Sequence, residues 1–171
     1  MRYLMRSANA ICSSSKVMGD LIKQQFGINH VIIIPFGIDL NFFKKNNNKT
    51  KKFTVGTIKS IEDHNGIDCL IDAARIIVND YKEDIRFEII GDGTLKNKLE
   101  EKTANYGLQN RIKFVGYVEH DNIVKYYNNL SIFVAVSLRE SFGVSILEAA
   151  ACSIPSITSN IGGLVEVNLH D

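Results

Sequence analysis

The sequence has little cysteine, almost no net charge and no long apolar segment. Its 171 residues carry a formal net charge of +1, whereas a dedicated nucleic-acid protein usually presents a concentrated basic surface. No apolar run approaches the roughly 18–20 residues that are needed to cross a bilayer. Residues 1–6 also lack the long apolar core of a signal peptide. The chain is therefore expected to have no nucleic-acid partner, no membrane-spanning helix and no secretory leader.

The cysteines Cys12, Cys69 and Cys152 are far apart and odd in number. Cys69 and Cys152 lie within helical apolar patterns, which predicts small core residues in a reducing cytoplasm. No cysteine or histidine pair has the spacing of zinc ligands, so no structural metal site is expected. The remaining composition, 45% hydrophobic and 23% charged, is that of an ordinary globular protein with one core.

Strand and helix signals alternate along most of the chain. Residues 10–12 and 31–34 predict short strands around a helix that ends at Gly27. Further strands are predicted, with helical periodicity between them, at residues 53–58, 86–90, 112–115, 132–136 and 155–158. This alternation predicts an α/β fold: a Rossmann-like parallel sheet with helices on both faces.

The helix between the strands at 112–115 and 132–136 carries two adjacent tyrosines. Asp121 is expected to cap this helix at its N-terminus. Tyr126 and Tyr127 are interpreted as half core and half surface rather than as a stacking platform for a ligand.

Residues 44–52 form the one clear break in composition. They are polar, rich in lysine and without hydrophobic periodicity, which is typical of a linker or an exposed loop. A nucleic-acid patch is the alternative interpretation of these lysines. The segment lacks the interleaved aromatic residues that stack on bases, so the linker is preferred.

Two carboxylates, Glu140 and Glu148, are eight residues apart around Gly143. Glu140 is predicted on the loop after the strand at 132–136, and Glu148 about one and a half turns into the next helix. Ligands of open α/β sheets bind beyond the carboxyl ends of the strands. A carboxylate there can accept hydroxyl hydrogen bonds, while N–H groups at the helix start can hold an anion. A ligand with hydroxyls and phosphate suits this arrangement; two solvated acids beside an ordinary helix start are the alternative.

The glycines Gly91 and Gly93 flank Asp92 directly after the predicted strand at 86–90. A dinucleotide-binding fingerprint would need a third glycine three residues later, and Lys96 stands there instead. The segment is therefore interpreted as a tight strand-to-helix turn that lines the ligand cleft.

Several segments at the predicted strand ends together resemble one family. In order, they are residues 33–39 with Phe43, residues 91–93, residues 114–118, the E-x7-E motif of residues 140–148, and Gly162-Gly163 with Glu166. Through these landmarks the chain resembles the donor-binding half of retaining glycosyltransferases of family 4. Those enzymes have the GT-B architecture of two facing Rossmann-like domains. The resemblance covers nearly the whole chain.

The resemblance implies a division of the chain and a setting for it. Residues 1–34 would be the remnant of an N-terminal acceptor domain, residues 35–52 the interdomain segment and linker, and residues 53–171 the nucleotide-sugar donor domain, incomplete at its C-terminus. The donor would be a nucleotide-diphosphate sugar, used without metal or other cofactor, and the acceptor a saccharide or a lipid-linked sugar. A cytoplasmic location, at the inner face of the membrane as a peripheral protein, is implied in the same way.

The resemblance also assigns roles to residues. Glu140 would contact hydroxyls of the donor sugar, and Glu148 would accept hydrogen bonds from the ribose. Val118 would lie against the base. The remaining donor-binding positions implied by the resemblance are Gly56, Gly91, Asp92, Ser141, Phe142, Gly143 and Val144. Those at the helix start would approach the sugar and the diphosphate through their backbone.

The cationic residues of the site depart from the family pattern. The family usually has an arginine just after its first glycine, whereas here Gly56 is followed by Thr57, Ile58 and Lys59. Lys59 is expected to replace that arginine, and His64 stands where the family has a lysine. Both would offset the charge of the leaving diphosphate, the task a metal performs elsewhere. A histidine is mostly neutral at neutral pH, so this exchange bears on turnover; a plain solvated loop is the alternative.

Two functions of different classes remain open from the sequence. The first is the donor half of a hexosyltransferase-type glycosyltransferase, which alone is expected to bind donor weakly and not to transfer sugar. The second is a non-catalytic module, a fragment or degenerate homologue, that binds nucleotide or protein without turnover.

Overall fold

A computed structural model describes residues 2–46 and 52–168 of the chain. Part of the predicted linker, residues 47–51, and the last three residues of the predicted donor domain lie outside the described residues. The first unit contains helices α1 (Arg2–Ser7) and α2 (Lys16–Phe26) and the parallel strands β1 (Cys12–Ser13) and β2 (Ile32–Ile33). Ser15 caps α2, since its Oγ accepts from the Met18 N–H at 3.2 Å, and Gly27 ends it in the left-handed conformation.

The main unit is a five-stranded sheet in which every neighbouring pair is parallel. Its strands are β3 (Thr54–Ile58), β4 (Arg86–Ile90), β5 (Ile112–Gly116), β6 (Ile132–Ala135) and β7 (Ser156–Thr158). Their order across the sheet is β5-β4-β3-β6-β7. The chain therefore winds outward from β3 in one direction and then, from β6, in the other. Ligands of such sheets bind at this switch point, beyond the carboxyl ends of β3 and β6.

Helices cover both faces of this sheet, which confirms the predicted α/β architecture. They are α3 (Ile67–Arg75), which continues as a π-helical turn (Ile76–Asp80), α4 (Lys96–Asn105), α5 (His120–Asn129), α6 (Val144–Ala151) and α7 (Leu164–Val167). Side chains alternate along each strand, so Phe87 and Ile89 join one buried cluster with α3 and α4. Ile90 and Phe133 join a second cluster with α5 and α6 on the opposite face.

Two predictions about single residues in these helices are wrong, and a third is confirmed. Cys69 is exposed because the buried stripe of α3 is formed by Ile67, Leu70, Ile71 and Ala74, and position 69 lies off that stripe. Asp121 lies in the first turn of α5, and Glu119 takes the capping position. Cys152, in contrast, is fully buried as predicted.

Candidate functional site

An ion pair between Lys59 and Glu140 lies at the switch point of the sheet. Lys59 directly follows β3, and Glu140 is on the loop that leaves β6. The Lys59 ammonium also donates to Ser137 Oγ at 2.8 Å. The side chains of Lys59 and Glu140 are only 10% and 19% exposed, so the pair is shielded from solvent more than an ordinary surface salt bridge. Two residues that the sequence predicted for one ligand site thus contact each other directly.

Two clefts open on either side of this ion pair. The first, of about 490 Å³, brings together the predicted residues His64, Glu140 and Ser141. Arg139 also lines it, which adds a second basic side chain that the sequence interpretation did not assign. We call this the sugar-side cleft, after the sugar contact that the family resemblance implies for Glu140.

The second cleft has a volume of about 280 Å³ and brings together the predicted residues Lys59, Gly91, Asp92 and Val118. Apart from Lys59 and Asp92, its lining is mostly apolar or small. We call this the base-side cleft, after the base contact that the family resemblance implies for Val118. Because Lys59 lines this cleft and bonds Glu140 in the other, the ion pair connects the two.

Close backbone contacts hold the loop of Glu140 in place. The Gly163 N–H donates to the Glu140 carbonyl at 3.0 Å, and the Leu138 N–H donates to the His64 carbonyl at 2.8 Å. A Cβ at Gly163 would lie 2.2 Å from the Ser141 carbonyl oxygen, so only glycine fits against this loop. The glycine pair of residues 162–163 therefore serves as packing for the site loop.

The start of α6 presents free N–H groups beside Ser141. Gly143 turns the chain with φ = 99°, and α6 begins at Val144. Among the described residues, no acceptor bonds the N–H groups of Phe142, Gly143 or Val144. Such groups at a helix start, together with the helix dipole, favour an anion.

Glu148 is half-buried on the second turn of α6 and lines neither cleft. Its Oε2 accepts a 2.5 Å hydrogen bond from the hydroxyl of Tyr127. Burial, followed by the nearby Glu148 carboxylate, raises the pKa of Tyr127 well above its usual range. The phenol is therefore neutral and acts as a donor. Tyr127 is fully buried while Tyr126 is only partly so, which agrees with an interpretation of the pair as part core and part surface.

Two other predicted positions have mainly structural surroundings. Gly56 is buried within β3, where a Cβ would lie 2.5 Å from Leu130 Cδ2, and it lines neither cleft. The Asp92 carboxylate accepts from the Gly93 N–H at 2.8 Å and from Lys96 Nζ at 3.3 Å. Both bonds lower the pKa of Asp92, and the bond from the Gly93 N–H has the larger effect.

Sequence reasoning missed Ser137 and Tyr127. Ser137 is fully buried and directly follows the apolar residues 132–136. A polar residue at that position was the feature of the sequence that could have indicated a role in the site. Tyr127 lies on the apolar stripe of α5 with Ile123 and Val124, and nothing in that pattern indicates a carboxylate partner.

Residues 2–46 and 52–168 contain neither a cluster of metal ligands nor a membrane-spanning helix. No group of three or more histidine, cysteine, aspartate or glutamate side chains there could hold a metal ion. None of the helices described is both long and apolar enough to span a bilayer.

The sequence profile of the glycosyl transferases group 1 matches residues 39–171. The chain belongs to this family. Among its relatives, a phosphatidylinositol N-acetylglucosaminyltransferase subunit of Arabidopsis thaliana is 29% identical over 161 residues, covering 92% of the chain and 36% of the relative. The mannosylfructose-phosphate synthase of Agrobacterium fabrum is 25% identical, and the match covers 94% of this chain and 40% of that protein. The chain thus spans about two fifths or less of the length of these relatives.

Solved structures of group 1 and other glycosyltransferases share the fold. The C-terminal domain of the group 1 protein LpcC from Francisella tularensis is 28% identical with a TM-score of 0.70, covering 78% of this chain and 76% of that one. Anabaena Alr3699/HepE, solved with UDP and glucose, has a TM-score of 0.83 at 23% identity. The match covers 96% of this chain and 48% of that one. Such neighbours have the GT-B architecture, in which this chain corresponds in size to a C-terminal domain.

Proposed function

We propose that the chain is the donor domain of a retaining glycosyltransferase, which binds a nucleotide-diphosphate sugar for transfer to a saccharide or lipid-linked hydroxyl. The observation that carries the proposal is the Lys59–Glu140 pair, set at the switch point between two clefts. The pair supplies one cation, which is suited to a phosphate oxygen, and one carboxylate, which is suited to a sugar hydroxyl.

The diphosphate is proposed to lie between Lys59 and the start of α6. An ammonium group has three N–H donors, and Ser137 and Glu140 take two of them. The third can donate to a phosphate oxygen, together with the free N–H groups of residues 142–144. This arrangement of donors would stabilise the charge on the leaving diphosphate without a metal. The basic side chains of His64 and Arg139 line the sugar-side cleft.

The two carboxylates are proposed to bind opposite ends of the donor. Glu140 would accept from sugar hydroxyls in the sugar-side cleft, and Glu148 from the ribose. The base would lie against Val118 in the base-side cleft, next to Gly91 and Asp92. Because the carboxylates engage different groups, neither is proposed to relay a proton to the other.

The relatives support this donor class. HepE was solved with UDP and glucose, and the Arabidopsis relative is named as part of an N-acetylglucosaminyltransferase. Since that relative acts on phosphatidylinositol according to its name, a peripheral place at the cytoplasmic face of a membrane is part of the proposal. The acceptor-binding residues would come from outside the donor domain. A binding-only module remains the second candidate, because His64 stands where a catalytic cation is expected.

A Glu140→Gln variant tests the proposed sugar contact. The ratio of the Kd for a nucleotide sugar to the Kd for its diphosphate should rise about fivefold or more, since a bond from a hydroxyl to a carboxylate is lost. Calorimetry with UDP-glucose, UDP-N-acetylglucosamine, GDP-mannose and ADP-glucose beside UDP, GDP and ADP gives this ratio. Glu101→Gln, on the exposed side of α4, is the matched control. An unchanged ratio in Glu140→Gln would mean that Glu140 does not contact the sugar.

A further inference from the structure

Tyr127 is held rigidly by aromatic rings that come from two other parts of the chain. Its ring centroid lies 6.0 Å from that of Phe43, before the linker, and 5.6 Å from that of Phe133 in β6. All three side chains are buried, and those of Tyr127 and Phe133 are fully so. Because the ring cannot move without displacing these neighbours, its hydroxyl has a fixed position in the core.

The Tyr127 hydroxyl is directed at one oxygen of Glu148. It lies 2.5 Å from Oε2, which is the distance of a short hydrogen bond. Among the described residues, Oε1 of Glu148 accepts from no donor. One oxygen of this carboxylate is thus bonded to the core, and the other accepts from no donor in the part of the chain that the structure describes.

We propose that Tyr127 is a positioning residue, which fixes the Glu148 carboxylate so that Oε1 meets the ribose hydroxyls of the donor. The inference rests on the proposed function, in which Glu148 binds the ribose. A glutamate side chain has several rotamers, and ordering it costs conformational entropy when the ligand binds. The bond from Tyr127 pre-orders the side chain in the free protein, so less of that cost falls on the binding step.

The variant Tyr127→Phe removes the hydroxyl and keeps the ring that packs against Phe43 and Phe133. Affinity for UDP, GDP and ADP is measured beside that for the 2′,3′-dideoxy form of each. We expect the variant to bind the diphosphate that the wild type prefers about tenfold more weakly. Its affinity for the dideoxy form should stay within about twofold, because that form has no hydroxyls for Glu148 to accept from.

A double variant separates positioning from packing. In a Glu148→Ala background, Tyr127→Phe should change the affinity for the diphosphate by less than about twofold, since there is no carboxylate left to position. A lower melting temperature with an unchanged ratio of ribo to dideoxy affinity would overturn the positioning role. If Tyr127→Phe does not fold, the ratio of ribo to dideoxy affinity is measured in Glu148→Asp instead. The shorter side chain of aspartate removes the carboxylate from the Tyr127 hydroxyl. An unchanged ratio in Glu148→Asp would also overturn the positioning role of Tyr127.

The affinities of the wild-type protein test the proposed function separately from the role of Tyr127. Equal affinity of the wild type for the ribo and dideoxy forms would remove Glu148 from ribose binding and the role of Tyr127 with it. No binding of any diphosphate would overturn both proposals. A wild type that discriminates, beside a Tyr127→Phe variant that discriminates equally well, overturns the positioning role alone.

Discussion

Replacing Lys59 by methionine is expected to weaken binding of a nucleoside diphosphate about 30-fold, because a charge-assisted bond to phosphate is lost. The affinity for the corresponding nucleoside should stay within about twofold, since a nucleoside carries no phosphate. The ammonium lies between the two clefts and is fixed by Ser137 and Glu140. Calorimetric titration with UDP, UMP and uridine, and with the guanosine and adenosine series, measures how the loss of affinity depends on the number of phosphates in the ligand.

Two further variants make the Lys59→Met result specific. Lys98→Met removes an exposed lysine of α4 and should leave all affinities unchanged. Lys59→Met combined with Glu140→Gln removes both charges of the pair. It should be more stable than Lys59→Met alone, because the single variant leaves a shielded carboxylate unpaired. A loss equal for uridine and UDP would contradict a phosphate contact by Lys59.

Replacing Gly66 by alanine is expected to lower the free energy of unfolding by about 3 kcal/mol. Gly66 separates His64 from α3 and has φ = 65°. A Cβ there would lie 2.0 Å from the carbonyl oxygen of Val136, at the start of the loop that carries Glu140. Backbone must move to relieve that contact, so the two loops of the sugar-side cleft should separate. Urea unfolding measures the change in stability.

Gly107→Ala is the matched control for this prediction. Gly107 has nearly the same φ, 70°, but apart from its chain neighbours no atom lies within 4 Å of a Cβ built on it. Its substitution should cost only the left-handed strain of about 1 kcal/mol. Equal losses in Gly66→Ala and Gly107→Ala would mean that the contact with Val136 does not hold the loops together.

The strands and helices were largely predictable because local patterns set them. The strand at 86–90 has the predicted bounds, since its apolar residues alternate with polar ones between turn signals. Gly27 ended its helix as predicted. Cys69 was misplaced because a helical apolar pattern includes positions that lie off its stripe. The order of the strands depends on how crossovers wind, which local patterns do not determine.

The contacts of the site were less predictable than its residues. Lys59 and Glu140 are 81 positions apart, and nothing in either segment indicates that the other is its partner. Tyr127 and Glu148 meet only because α5 and α6 pack on the same face of the sheet. Sequence patterns identify side chains at strand ends, whereas pairing depends on tertiary packing.

Mapping a titration of the wild-type protein onto its backbone amides tests donor binding at the switch point most directly. At least one of the three diphosphates UDP, GDP and ADP should shift the ¹H–¹⁵N resonances of residues 142–148 and of Lys59. The matched reference is a cleft of about 370 Å³ at the amino-terminal ends of β3, β6 and β7, lined by residues that include Asn128, Ser131 and Ser153. Those amides should stay unshifted. Shifts confined to that opposite cleft, or none at residues 142–148 with any of the three, would contradict donor binding at the switch point.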